Sequence, residues 1–199
     1  MPMPYNPDKH HRRSIRLQGY DYSSTGVYFI TLCTFQRQCL FGKIIDGTIQ
    51  LNTFGQIVAE EWRQSSSIRQ EIEFGQWVIM PNHLHGIVLI NPVGAHNRVG
   101  AHGRAPLRMG IAHRKPRSLS SFIAGFKSAT TKRINAARNS PRTPVWQRNY
   151  YDHIIRNEAS LQRIQQYIQN NPATWQDDQL NSSNHQRFSS REAESDHPQ

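Results

Sequence analysis

Carboxylates are missing from a long stretch of this 199-residue chain: none occurs between Glu73 and Asp152. That absence excludes a self-neutralising surface over the stretch and leaves it positive. Cysteine is scarce. Cys33 and Cys39 stand alone and six apart, which excludes a disulfide framework and the paired-cysteine spacing of a zinc site. A reducing compartment is expected. No apolar run approaches the ~18 residues of a membrane helix, so no membrane partner is expected. The opening Met1-Pro2-Met3-Pro4 shows no apolar stretch after a basic one, so a signal peptide is not expected and a cytoplasmic location is. What remains is ordinary: 36% hydrophobic residues is enough to bury one core.

The net charge is +10, from 24 Lys and Arg against 14 Asp and Glu. The acid-free window holds twelve of the cations, from Arg98 to Arg148. A polyanion is the natural partner, and nucleic acid is the commonest. Arg12, Arg13 and Arg16 lie in an N-terminal basic arm (1–20), whereas Lys127, Lys132, Arg133 and Arg148 sit on or beside expected core elements. These seven are the candidate phosphate contacts. A basic face that only keeps the protein soluble is the plain alternative.

Val27 to Phe35 is dense in β-branched and aromatic residues and reads as a central strand. Asp46-Gly47 between short apolar runs predicts a small hairpin over 44–51. A helix is expected from Thr53, its possible N-cap, to Gln64, before the Ser65-Ser66-Ser67 break. Strands follow over 72–80 and 84–90, broken at Pro81-Asn82. The stretch 91–117, rich in Gly, Arg and His, reads as a flexible insertion. Ser118 caps a helix whose apolar side holds Leu119, Phe122, Ile123, Phe126, Ile134 and Ala137. Tyr150 to Arg156 is a last strand, and Asn157 caps a final helix to Asn171, stopped by Pro172. The domain is expected over 21–175 with a disordered tail over 176–199. This order is α+β: a ferredoxin-like split βαβ, similar to RNA-recognition domains, with an antiparallel sheet and helices on one face.

Two side-chain pairs could carry chemistry. His83 and His85 stand at i and i+2 on a strand, so both imidazoles leave one face and can converge on a divalent metal. Such a pair inside an apolar strand is costly unless hydrogen-bonded or metal-bound. Tyr167 and Asn171 are one turn apart on the final helix, ~40° from each other at the edge of the stripe made by Leu161, Ile164 and Ile168. Their plain alternative is a boundary core tyrosine and a helix C-cap.

At this point the chain resembles the single-tyrosine HUH transposases, and more closely their REP-associated tyrosine transposase branch. The resemblance is carried by Arg12 to Leu17, Tyr20-Asp21-Tyr22, Val27 to Thr34, Met80-Pro81-Asn82-His83-Leu84-His85, Trp146 to His153, and Tyr167 to Pro172. It spans about Arg12 to Trp175 without the insertion. The resemblance implies an HUH endonuclease fold in which His83, His85 and Asn171 bind the metal, Mg²⁺ or Mn²⁺, and Tyr167 is the nucleophile. Asn171 stands where related transposases often carry glutamine. The implied activity is metal-dependent cleavage and rejoining of single-stranded or hairpin DNA through a 5′-phosphotyrosine, by a monomer or homodimer.

Two other readings stay beside it. One is a catalytically silent single-strand binder whose sheet aromatics stack bases. The other is a zinc hydrolase, which needs a general-base carboxylate that the His83–His85 segment lacks. Tyr150 and Tyr151 are rival nucleophiles by residue type alone.

Overall fold

The computed structural model describes residues 25–91 and 117–181. The N-terminal arm with Arg12, Arg13 and Arg16, the body of the Gly/Arg/His-rich insertion and the chain beyond Asn181 lie outside the described residues. Within them the order is β1 (Gly26–Cys33), β2 (Gly42–Ile45), β3 (Thr48–Leu51), α1 (Thr53–Ile68), β4 (Ile72–Met80), β5 (His83–Ile90), α2 (Leu119–Ala137), β6 (Tyr151–Ile155) and α3 (Glu158–Asn170). Four strands form an antiparallel sheet in the order β4-β5-β1-β6, and β2-β3 form a separate ribbon. This is the expected ferredoxin-like topology. The ribbon turns at Asp46 and Gly47, both at positive φ (49° and 70°), which suits Gly and is tolerated by Asp.

Alternation along β1 sends Tyr28, Ile30 and Leu32 to one face and Val27, Phe29 and Thr31 to the other. The first set joins Trp62 of α1, Phe122 and Phe126 of α2, and Trp146 in the main core. The second joins Ile87, Ile155 and Ile168, with Leu161 and Ile164, in a smaller one. Thus α1 and α2 make the expected helical layer, and α3 is laid on the opposite face. A bulge between Phe74 and Trp77 in β4 resets the alternation so that Trp77 and Ile79 still face the main core.

Several local expectations need correction. The N-cap of α1 is Asn52, whose Oδ1 accepts from the amides of Phe54 and Gly55 at 2.9 and 3.0 Å, and Thr53 is already helical. The serine triplet does not break α1. Ser65 and Ser66 turn their hydroxyls back onto the carbonyls of Glu61 and Arg63, and the helix continues to Ile68. Ala137 is exposed instead of joining the apolar side of α2, and β6 begins one residue late, at Tyr151. The caps Ser118 and Asn157 stand as expected, accepting from Ser121 N and Ser160 N. The tail boundary also moves. Trp175–Asp177 form a 3-10 turn, and Asn181 is buried with its amide donating to the Trp175 carbonyl.

Gly86 follows the histidine pair and has a packing reason. A Cβ there would meet Trp62 Cζ2 at 2.7 Å and Cη2 at 3.0 Å. Trp62 is fixed in turn by Phe74, Phe122 and Phe126, with ring centroids 4.4, 5.7 and 5.3 Å away. Gly86→Ala is therefore expected to destabilise the fold by roughly 1–3 kcal/mol, the usual cost of overpacking. A lower denaturation midpoint at unchanged slope checks this, and a neutral result contradicts the packing assignment.

Candidate metal and tyrosine site

The face carrying α3 brings His83, His85, Tyr167 and Asn171 together. Register pairing sets Cys33 opposite His83 and Thr31 opposite His85, so the histidines and Thr31 share a surface. Both imidazoles are buried, at 0% and 2% exposure, and their ring centroids lie 4.4 Å apart.

Each ring is oriented by a neighbour. Asn82 Nδ2 donates to the Arg37 and Leu180 carbonyls at 3.1 and 2.7 Å, so its two amide protons are used. Its Oδ1, 2.8 Å from His83 Nδ1, can only accept, and the His83 proton therefore sits on Nδ1. The Nε2 lone pair is left aimed into the site, where it is buried without a hydrogen-bond partner among the described residues. His85 Nδ1 lies 2.8 Å from Thr31 Oγ1, and its Nε2 lies 3.1 Å from the Tyr167 hydroxyl. Both hydroxyls can donate or accept, so either tautomer satisfies the two contacts; the one with the proton on Nδ1 leaves Nε2 to accept from the phenol or to bind an ion.

Asn171 is 1% exposed. Its Nδ2 donates to Asp178 Oδ2 at 3.1 Å, leaving Oδ1 buried and without a hydrogen-bond partner, as His83 Nε2 is. Asp178 is the residue that sequence reasoning missed. Ligand atoms of His83, His85 and Asp178 lie within 4.8 Å of one another. Asp178 follows the 3-10 turn in the segment read as disordered tail, and its Oδ1 accepts from Leu180 N at 2.7 Å. The available signal was the Asp177-Asp178 pair one short turn beyond Asn171. Asp178 also supplies the carboxylate that the His83–His85 segment lacks, but both its oxygens are engaged, which suits a ligand better than a free base.

The buried donors suit a divalent cation: imidazole nitrogens kept neutral, one amide oxygen and one carboxylate. Burial lowers His83 to about 4, although Asp178 and Asn171 pull the other way. Burial, then the neighbouring His83, holds His85 well below the usual histidine range. Burial, then the Asp178 charge, pushes Tyr167 up to about 12. Tyr167 is nevertheless 45% exposed, so one side of its ring and hydroxyl stays open to a substrate.

The sequence-predicted cations behave differently from one another. Lys127 donates to the carbonyls of Gln147 and Asn149 at 2.9 and 3.0 Å and lies over the Tyr150 ring; burial brings it down to about 8. Arg133 is held by Glu60 and Glu61 at 2.6 and 2.9 Å. Lys132 and Arg148 are exposed and, with Arg142, line a groove of about 500 Å³ beside Trp146. Tyr150 packs on the main-core side of the sheet, whereas Tyr151 is exposed on the α3 side, with Phe29 between it and Tyr167.

A histidine whose folded pKa is depressed loses folding stability as pH falls, because the unfolded chain takes up protons first. For His83 the window runs from about 6.5 down to about 4. In chelator the melting temperature should fall across that window, and His83→Asn should flatten the fall. An unchanged profile in the variant would contradict the neutral buried assignment.

Comparison with known proteins places this geometry in context. No family model matches the chain. A Haemophilus influenzae protein described as uncharacterized is 42% identical over 184 residues, covering 90% of this chain and 98% of that protein. A solved REP-associated tyrosine transposase bound to a REP hairpin superposes with a TM-score of 0.53 at 20% identity, over 81% of this chain and 74% of the other. The chain thus belongs to one family with the Haemophilus influenzae protein, and the likeness to REP-associated tyrosine transposases read from its motifs is matched by a shared fold.

Proposed function

We infer that the protein is a transposase-like, metal-dependent transesterase acting on single-stranded or hairpin DNA in the cytoplasm. The observation that carries this reading is the Tyr167 hydroxyl on His85 Nε2, beside the unpartnered His83 Nε2 and Asn171 Oδ1. His83, His85, Asn171 and Asp178 would hold the ion, with Mg²⁺ or Mn²⁺ as candidates; two imidazoles among the donors favour Mn²⁺. A bound divalent ion supplies positive charge that favours a phenolate and polarises a phosphate.

The chain's own residues do the rest. Tyr167 gives up its proton to solvent water, and its oxygen attacks the phosphorus. The bond to the 3′-oxygen of the preceding nucleotide breaks, and that oxygen takes a proton. The products are a 5′-phosphotyrosine and a 3′-hydroxyl. Attack by the 3′-hydroxyl reverses the step and restores the phosphodiester and the phenol. Thr31 and Asn82 hold the two imidazoles; His85 Nε2 meets the phenol when no ion is bound, and its lone pair would serve the ion when one is. The fold-mate's REP hairpin supports a hairpin substrate for this chain as well. Lys132, Arg142 and Arg148 are exposed cations that share one groove and could follow its phosphates, whereas Lys127, which lines the same groove, and Arg133 are already engaged by carbonyls and carboxylates.

Tyr167→Phe should abolish a covalent DNA adduct on a denaturing gel while leaving DNA binding intact. Asp178→Asn should weaken Mn²⁺ binding by tenfold or more, read by calorimetry, and lower the Tyr167 titration seen in the ultraviolet, because a negative charge beside the phenol is gone. An adduct formed by Tyr167→Phe would defeat the reading.

Salt provides a separate check. Each phosphate contact by Lys or Arg to a single strand adds about −0.7 to the slope of log K against log salt. Neutralising Lys132, Arg142 and Arg148 together should flatten that slope by up to about 2 units. Lys127→Gln should mainly lower the melting temperature. A slope unmoved by the triple change would take the groove out of the binding surface.

A further inference from the structure

The small-core face is not covered evenly. The apolar side of α3 packs over β4, β5 and β1 through Val78, Ile87, Leu89 and Phe29, while the outer half of β6 stays open. Residues of β6 alternate in register with β1, so Tyr151, opposite Thr31, and His153, opposite Phe29, stand on the α3 face. Both are exposed; Tyr151 keeps 43% of its surface in solvent. Among the described residues β6 is an edge strand.

Tyr151 also ends a row of rings. From the histidine pair the contacts run His85 to Tyr167 at 5.1 Å, Tyr167 to Phe29 at 6.0 Å and Phe29 to Tyr151 at 6.3 Å. His85 and Phe29 are buried, whereas Tyr167 and Tyr151 are both open to solvent. The strip is flanked by exposed cations, Arg148 before β6 and Arg156 after it, with Arg163 one turn before Tyr167 on α3. The carboxylate within β6, Asp152, is buried and faces the other side.

We propose that Tyr151, with His153 beside it, is a stacking platform for an unpaired base next to the phosphate attacked by Tyr167. This rests on the functional reading above and adds the part of the substrate that the β6 edge receives. A flat ring set on a sheet surface accepts any base through its π-face, and flanking cations meet the phosphates on either side. Tyr151 and His153 are two residues apart on one strand, about 6.6 Å, which lets consecutive unstacked bases meet separate rings. The role needs the ring of Tyr151 and not its hydroxyl, which separates it from a second nucleophile.

The test uses the full chain and two probes in chelator: a twelve-thymidine strand carrying one 2-aminopurine at successive positions, and a blunt-ended DNA hairpin. The wild-type protein should quench the fluorescence at one or two positions. Tyr151→Phe and Tyr151→Trp should keep the quenching and the affinity. Tyr151→Leu and Tyr151→Ala should lose both, with the thymidine strand bound about tenfold more weakly, the size of one lost base–aromatic stack. Affinity for the blunt hairpin should not change. Melting temperatures accompany each variant, and Tyr151→Leu, which still packs on Phe29, decides if Tyr151→Ala unfolds. Wild-type behaviour in Tyr151→Leu, equal weakening toward both probes, or loss in Tyr151→Phe each overturns the platform. In a parallel reaction with Mn²⁺ in place of chelator, a missing Tyr167 adduct with intact quenching would instead remove the transesterase reading and leave the platform standing.

Discussion

One buried amide organises this site. Asn82 donates to the carbonyls of Arg37 and Leu180 and accepts from His83 Nδ1, so three distant stretches meet on a single side chain. Its acceptor decides which nitrogen of His83 carries the proton. Its donors hold the turn at Gln36 and Arg37, both at φ 54°, and the tail segment that delivers Asp178. Left-handed backbone at two successive non-glycine residues costs on the order of 1–2 kcal/mol each, and a buried hydrogen bond to the Arg37 carbonyl helps offset it. The Thr34 amide donates to the Asn82 carbonyl at 2.9 Å and fixes the asparagine in turn.

The sheet separates stability from chemistry. On one face Trp62, Phe122, Phe126 and Trp146 fill the main core, and the buried polar groups there are modest: Thr130 Oγ1 accepts from Trp146 Nε1 at 2.8 Å. On the other face the apolar contact is smaller, and His83 Nε2 and Asn171 Oδ1 are buried without hydrogen-bond partners among the described residues, whereas in the main core Trp62 Nε1 is such an atom. A buried polar atom without a partner destabilises the fold, so its retention at two neighbouring positions points to a ligand. Gly86 joins the two faces. Its missing side chain lets Trp62 close the main core directly behind the histidine strand.

The topology was legible because it rests on periodicity and caps. Val27 to Cys33, the Asp46-Gly47 turn, Ser118 and Asn157 all read correctly from residue type alone. Asn52 was overlooked because the adjacent Thr53 is itself a good cap, and the serine triplet misled because serine bonds to backbone both inside and outside helices. That His83, His85, Tyr167 and Asn171 share one face was legible through spacing and family resemblance. Asp178 was not, since a segment poor in apolar residues looks unstructured when its order comes from hydrogen bonds made elsewhere, here from Asn82 to Leu180 and from Asp178 to Asn171. The cations divided for a similar reason. Sequence displays the charge of Lys127 and Arg133 but not the carbonyls and carboxylates that occupy them.

The clasp between Asn82 and the tail also bears on stoichiometry. The phenol, the two imidazoles, the amide and the carboxylate all come from one polypeptide, and the tail bonds back to the strand that opens with His83. α3 is tied to its own sheet at Tyr167, and the segment after it at Leu180. The donors of one chain therefore close on one another.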